Sequence, residues 1–287
     1  MARGSRLADL NGMWASLRLL AGGWGSADGY SVELAVRLAQ MTRAELARHG
    51  IDDVRGWRDL GVSVERRVLF SSGMLIGRTF PMKVWVNAKD DWRRQRFTVG
   101  HEIAHYLLPP RYGLLPDLLE QMCDAYASEM LLPASRVRSR LGASGNLTSA
   151  RDVVEMANEA RINFSPVLYQ AARTAWDPNF SIILGSAKTG CLRVLTGAGP
   201  RIGSPPRGQR ISSLGRWRVL RTETAALARR SGVAELDYRF IRPSEPDEQE
   251  SQSGRVQGLA RWDSVELPGR QTVITVNFLG LPNVTFH

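Results

Sequence analysis

The sequence predicts an α+β fold: helices flanking a small sheet, then two antiparallel helices, a helical segment, and a β-rich α+β C-terminal domain. Three observations predict it. Apolar residues recur at helical spacing over 31–49, 118–132 and 152–175. Short stretches rich in β-branched residues cluster over 62–87 and again after Phe180. Segments 197–208 and 243–254, rich in glycine, proline, serine or acids, punctuate the second half as loops. The expected division is a core over 1–145, a helical segment packed on it over 146–178, and a C-terminal domain over 179–287.

The first ten residues are polar and charged, and no run of 18 apolar residues occurs. Neither a secretory signal nor a membrane span is therefore expected, and the expected compartment is the cytoplasm. Two cysteines, Cys123 and Cys191, do not make a disulfide framework. The net charge of +10 invites a nucleic-acid reading. Only three of the 38 basic residues are lysine, however, and the arginines are scattered. The densest cluster, Arg201 to Arg242, is followed by an acidic run, Glu245 to Glu250. Direct nucleic-acid binding is not expected.

In the 31–49 helix, Val32, Leu34, Ala35, Leu38, Ala39 and Met41 are apolar, Thr42 to Glu45 has the form of a capping box, and Gly50 ends the stretch. Val62–Phe70 and Met74–Ile76 read as strands leading to a third at Lys83–Asn87. A peptide could pair with that third strand if it lies at an edge. An ordinary sheet strand with no such role fits the residues equally well.

The next helix carries His101-Glu102-Ile103-Ala104-His105. Only four histidines occur in the chain, and two of them stand four apart. Residues i and i+4 share a helix face, so both imidazoles can address one metal ion, while Glu102 projects beside them. This H-E-x-x-H spacing is the signature of zinc-dependent hydrolases. Ile103, Ala104, Leu107 and Leu108 give the helix an apolar side, and buried imidazoles need partners. Pro109-Pro110 ends the helix, Arg111-Tyr112-Gly113 reads as a turn, and Pro116-Asp117 opens a second helix. Glu120, one turn inside it, is the candidate third ligand. Asp124 shares its face and could accept a hydrogen bond from a ligating imidazole. Two alternatives stay open: Asp117 as the ligand, or Glu120, Asp124 and Glu129 as a solvated helix face. Cys123 reads as a small core residue.

The segment Arg93-Arg94-Gln95-Arg96-Phe97-Thr98-Val99-Gly100-His101-Glu102-Ile103-Ala104-His105, followed by Glu120 to Asp124 and Ala127-Ser128-Glu129-Met130-Leu131-Leu132-Pro133, resembles the ImmA/IrrE family of metallo-endopeptidases. The strand ending at Asn87 before the arginine-rich turn is similar to that family as well. The clear match covers about 80–135, with weaker similarity from roughly 30 to 175. The resemblance implies a zincin-like peptidase core with His101, His105 and Glu120 as metal ligands and Glu102 as the catalytic carboxylate. Asp124 departs from the asparagine common in the family, which keeps hydrogen bonding but adds charge. Zn²⁺ is the implied ion, with Mn²⁺ or Fe²⁺ able to use the same ligands.

Three protein ligands leave one position of a tetrahedral ion open, the catalytic arrangement. Tyr106, Tyr112, Tyr169 and His49 are nominal oxyanion stabilisers, but no spacing selects one. The reading is an intracellular zinc endopeptidase. Its substrate, by resemblance, is a DNA-binding repressor or antitoxin whose cleavage relieves repression. The alternative is a metal-containing regulatory binding protein with little or no peptidase activity, and a DNA-binding regulator is a weaker third.

The 152–175 region resembles the helix-turn-helix frequent in the family, with its turn at Asn163–Pro166, Ser165 as cap and Pro166 opening the second helix. Beyond it, strands are expected at 181–184, 192–195, 216–220, 259–265 and 272–278, and one helix at 222–231. Substrate capture, signal sensing or dimerisation are the jobs that would suit this domain.

Overall fold

The computed structural model describes residues 3–23, 31–51, 56–108, 116–140 and 150–174, together with the strand backbones at 180–188, 191–198, 210–211, 229–242, 252–267, 271–278 and 283–286. Two compact units form: Met1–Pro133 with Ala160–Asn163, and Ala134–Glu159 with Phe164–His287.

The first unit begins with α1 (Arg3–Gly23), an element absent from the sequence expectations. Leu10, Met13, Trp14, Leu17 and Ala21 are all buried, at the i, i+3, i+4, i+7 spacing of one helix face. The buried Trp14 indole donates to the Leu60 carbonyl at 3.0 Å, tying α1 to the turn before the sheet. Helix α2 (Val32–Arg48) is capped by Ser31, whose hydroxyl accepts from the Leu34 N–H at 3.3 Å. The capping box expected at Thr42–Glu45 does not form. Nothing between Val32 and Arg48 breaks the helix, and the Thr42 hydroxyl donates to the Leu38 carbonyl at 2.8 Å. Gly50, at φ 71°, supplies the left-handed turn that ends the stretch.

Three strands follow: β1 (Val62–Arg67), β2 (Gly73–Ile76) and β3 (Met82–Asn87). Their order is β1-β3-β2, with β1 parallel and β2 antiparallel to β3. Two expectations are corrected here. Lys83–Asn87 belongs to the central strand, not an edge, so no peptide can pair with it; the edge strand packed against the next helix is β2. The first strand also stops at Arg67 instead of Phe70. The Asn87 side-chain amide donates to the Leu69 and Ser71 carbonyls at 2.9 and 3.0 Å, turning the chain across the end of β3. Alternate β3 residues Met82, Val84 and Val86 are buried, the period expected of a half-covered sheet.

Helix α3 (Trp92–Leu107) starts on Asp91, which accepts from the Arg93 and Arg94 N–H groups at 2.8 and 3.1 Å. The buried Gln95 donates to the Asn87 and Asp90 carbonyls, locking the start of α3 to the end of β3. Helix α4 (Pro116–Leu131) is held by α2: Tyr126 donates to Thr42 at 3.1 Å, Gln40 to Glu129 at 3.2 Å, and Arg43 to the Met130 carbonyl at 2.8 Å. The turn expected at 109–115 lies outside the described residues.

In the second unit, α5 (Ala134–Arg138), α6 (Ala150–Ala160) and α7 (Phe164–Thr174) precede β4 (Phe180–Lys188), β5 (Cys191–Ala198), β6 (Arg210–Ile211), β7 (Arg229–Arg242), β8 (Gln252–Leu267), β9 (Gln271–Phe278) and β10 (Asn283–Phe286). The α6–α7 break falls at 161–163, ahead of the expected 163–166, because Arg161 adopts φ 55°. Ser165 and Pro166 therefore lie inside the first turn of α7, where a missing N–H costs no helical bond. The antiparallel sheet has β8 as its hub, paired with β7, β9 and β10, and continues β9-β4-β5-β6. The helix expected at 222–231 is overturned at its end, since Arg229–Ser231 begin β7; its remainder and the strand expected at 216–220 lie outside the described residues. Residues 197–198 and 252–254 are strand rather than loop. Among the described residues this unit is mixed helix and sheet, and no helix of either unit is long and apolar enough to cross a membrane.

Candidate metal centre

His101 and His105 sit one turn apart on α3, and α4 crosses close beside them because Gly100 is small. A Cβ at Gly100 would lie 3.3 Å from the Ala127 Cβ of α4 and 3.6 Å from the Trp57 ring. That close crossing brings Glu120 and Asp124 back over the histidine pair. The two Nε2 atoms are 3.1 Å apart. Glu120 Oε2 lies 3.1 Å from His101 Nε2, and Glu120 Oε1 lies 3.3 Å from His105 Nε2. His101 Nδ1 donates to Asp124 Oδ1 at 2.8 Å. All four residues expected from the sequence at the ion and behind it thus meet in one place, the histidine side chains 16% and 21% exposed and the two acids on the open side.

These separations bear on what the cluster can hold. Because His101 Nδ1 carries the proton given to Asp124, its Nε2 presents a lone pair towards His105 and Glu120. Lone pairs and carboxylate oxygens facing one another at about 3 Å repel unless a proton or cation lies among them. Donors about 2.0–2.1 Å from a tetrahedral ion stand about 3.3 Å from each other. The observed 3.1–3.3 Å spacing therefore fits a divalent ion. Cys123 is the other nearby donor: its sulfur and the two imidazole nitrogens fall within 4.8 Å of one another. The Glu120 oxygens make the better third ligand. They reach both imidazoles, at 3.1 and 3.3 Å, whereas Cys123 is wholly buried and burial pushes its thiol pKa far up. Among the described residues, Asp117, in the first turn of α4, makes no hydrogen bond or ion pair with the cluster.

Glu102 points elsewhere, towards β2. Its carboxylate accepts from the Leu75 N–H, and burial raises its pKa despite that bond and the nearby His101. Gly73 makes this approach possible, since a Cβ there would meet Thr98 Cγ2 at 2.2 Å and Glu102 Oε1 at 3.2 Å. Burial pulls His101 down, but Asp124, Glu102 and Glu120 outweigh it and leave its pKa above the ordinary value. His105 is lowered by burial first, then by the charges of His101 and Arg78.

Gly73, Leu75 and Arg78 were not singled out in the sequence. A glycine within a strand does signal close backbone approach, so Gly73 was legible; the Leu75 contribution is main-chain and leaves no trace in residue type. Of the nominal oxyanion residues, Tyr106 is buried beneath the Arg18 guanidinium, 5.0 Å from its ring centroid, and His49 closes α2 through its backbone N–H. Tyr112 and the Tyr169 side chain lie outside the described residues.

A histidine pair on one helix, an acid from the next helix and a carboxylate held by a sheet edge define the metallopeptidase class of site. Residues 48–159 match the M78 peptidase family, described as the IrrE N-terminal-like domain, and over this segment, less than half of its length, the chain is similar to that family. It is similar to the radiation response metalloprotease IrrE of Deinococcus deserti, 32% identical over 105 residues, covering 32% of this chain and 37% of that protein. The protein of the same name from Deinococcus radiodurans is 27% identical over 126 residues, covering 40% of this chain and 33% of the relative. The chain thus matches about a third of the length of these relatives. A Mycobacterium tuberculosis transcriptional regulator aligns over 96% of this chain and 78% of its own at 13% identity, with a TM-score of 0.37, too low to establish a shared fold.

Proposed function

We propose that this chain is a zinc-dependent endopeptidase of the cell interior that cleaves one specific regulatory protein, a DNA-binding repressor or antitoxin, and so relieves repression. The observation that carries the reading is the convergence of His101, His105 and Glu120 at 3.1–3.3 Å with Glu102 held apart from them. The family relationship supports peptide-bond hydrolysis, and the repressor-like substrate is the proposal's own extension of it.

In this reading His101, His105 and Glu120 hold the ion, and Asp124 fixes the His101 tautomer through Nδ1. A bound divalent ion supplies Lewis acidity and brings the pKa of water towards neutrality. Glu102 takes the proton of the attacking water and passes it to the leaving amine nitrogen as the C–N bond breaks. The Leu75 N–H keeps the Glu102 carboxylate aimed away from the ligands, so it serves as a base rather than a fourth donor. The outer edge of β2 is unpaired among the described residues, and a substrate strand added there would run beside Glu102. We assign the C-terminal unit to substrate capture or sensing.

The test pairs metal analysis with co-expression. One ion per chain is expected in the wild type and in Glu102→Gln, and its loss in His101→Ala. Co-expressed with repressor-like proteins encoded beside it, the wild type should cleave one and Glu102→Gln none. Metal retained in both variants together with every candidate left intact would favour a metal-containing binding protein instead.

A further inference from the structure

We propose that the loop between β1 and β2, residues 68–72, is the docking surface for the substrate polypeptide and selects a segment whose apolar side chains are flanked by acids. The inference rests on the peptidase reading above and adds the substrate's chemistry to it.

Two apolar side chains project from this loop into water, Phe70 fully and Val68 mostly exposed. Met74 follows on β2 and Trp92 opens α3, each about half exposed. Single apolar residues on a surface are ordinary, but these four cluster at one corner of the sheet, where Arg94 of α3 reaches the loop. The backbone that presents them is pinned. The Arg67 carbonyl accepts from the Ala88 N–H at 2.7 Å, and the Ser72 carbonyl from the Asn87 N–H at 2.8 Å. The Leu69 and Ser71 carbonyls accept from the Asn87 side-chain amide. The Ser71 hydroxyl donates to the Gly73 carbonyl, and Arg94 donates to the Ser72 hydroxyl, both at 2.8 Å. A loop held in this way orders little further when a partner covers it, so little of the binding energy is lost to ordering.

Charge and place identify the occupant. Residues 65–94 hold seven basic side chains and three acids. Each acid is already matched: Glu65 by Lys83 and Arg67 at 2.7 and 3.0 Å, Asp90 by Arg94 at 3.2 Å, and Asp91 by the first N–H groups of α3. The exposed Arg66 and Lys89 make no ion pair among the described residues, and Lys89 is tied beside the loop by its N–H on Asn87 Oδ1 at 3.1 Å. The apolar corner is therefore rimmed by unmatched positive charge, which complements acids on a partner. The loop also leads straight into Gly73, where a Cβ would stand 3.2 Å from Glu102 Oε1. A chain held on Phe70 and Val68 is carried past that carboxylate. This place, beside a candidate base for amide hydrolysis, favours a polypeptide over a nucleic acid, which the same cations and rings would also attract.

The experiment uses the full zinc-loaded Glu102→Gln chain, which should bind without cleaving, and reads the fluorescence anisotropy of a labelled synthetic peptide in which leucines are flanked by glutamates. It should bind this peptide more tightly than versions with lysine for glutamate or serine for leucine, and more weakly as salt rises. Adding Phe70→Ser should cost about ten- to a hundredfold in affinity, and Phe70→Leu far less. Lys89→Ala should cost about two- to fivefold and flatten the salt dependence. Both positions are exposed, so the urea midpoints should match the parent's. On a cleaved substrate, Phe70→Ser should raise KM rather than lower kcat. Equal peptide affinity before and after Phe70→Ser, preference for the lysine peptide, no binding of the acidic peptide, or tighter binding of oligodeoxythymidine overturns the assignment. Cleavage whose KM ignores Phe70→Ser removes this docking surface and leaves the peptidase reading. Phe70-dependent binding of the peptide by a wild-type chain that cleaves nothing does the reverse.

Discussion

Gly73→Ala probes the contact between the sheet edge and the helix that carries Glu102. The added Cβ would stand 2.2 Å from Thr98 Cγ2, where ordinary contact begins near 3.4 Å, so strand and helix must separate by roughly 1.2 Å. Thr98 is buried on a helix, where a β-branched side chain has little rotamer freedom. Overpacking of this kind costs about 1–3 kcal/mol, and losing the Leu75 N–H bond to a carboxylate adds about 1.5–3 kcal/mol. Together these are a large share of the roughly 5–15 kcal/mol that holds a domain folded. Urea unfolding should show the loss as a lower midpoint at constant slope. Thr98→Ser removes the offending methyl and should rescue Gly73→Ala. The remaining contacts at 3.2 Å, to Glu102 Oε1 and the Trp85 carbonyl, need shifts of only a few tenths of an ångström. The double variant should therefore be more stable than the sum of the single changes by more than 1 kcal/mol, well beyond the ~0.3–0.5 kcal/mol scatter of independent sites. Strict additivity would refute the argument, as would a Gly73→Ala protein with the wild-type midpoint.

Asp124→Ala should weaken metal binding about 10- to 100-fold, measured by competition with a chromophoric chelator, with Asp124→Asn retaining most of the affinity because an amide oxygen can still accept from His101 Nδ1. Metal affinity should also fall with acidity. Protons compete for His101, whose pKa is raised above 6.5, so affinity is full well above that raised value and declines about tenfold per pH unit below it. His105, shifted down, adds a second proton only at lower pH. In Asp124→Ala the first of these steps should move to lower pH; an unmoved step would mean that Asp124 does not set the His101 titration.

How much of this was legible in the sequence depended on whether a feature is written in side-chain period or in backbone contact. The α3 and α4 helices and their polar residues could be read because H-E-x-x-H and the apolar stripe through Met122, Cys123, Tyr126 and Met130 follow the same 3.6 period that the structure buries. Helix α1 is equally legible through the stripe Leu10, Met13, Trp14 and Leu17, although its first turn is polar and charged. Strand β7 alternates Ala234, Leu236, Tyr238 and Phe240 with Glu235, Asp237 and Arg239, a clear period of two, but its Arg229–Ser231 start lacks that alternation and continues the helical pattern expected at 222–231. The position of Lys83–Asn87 within the sheet was not legible at all. Strand order depends on the connection across Asn87, and nothing in the local pattern of β3 says that β1 and β2 lie on opposite sides of it.

The centre draws its parts from two sources that can be perturbed separately. The candidate ligands and Asp124 all come from α3 and α4, whose spacing is set by Gly100 against Ala127 and by the bonds from α2 to Tyr126, Glu129 and Met130. The contacts that aim Glu102 come from one short stretch at the sheet edge, Gly73 and Leu75. Holding the ion and breaking the bond should then fail independently. A change on β2 that spoils the Glu102 orientation leaves the 3.1–3.3 Å donor cluster in place, whereas widening the α3–α4 crossing disperses the cluster even with β2 untouched. Metal content should therefore follow substitutions at Gly100 and Asp124, and turnover at full metal occupancy should follow those at Gly73. If substitutions at Gly73 lowered metal content in step with turnover, the ligands and the edge strand would be one cooperative unit rather than two.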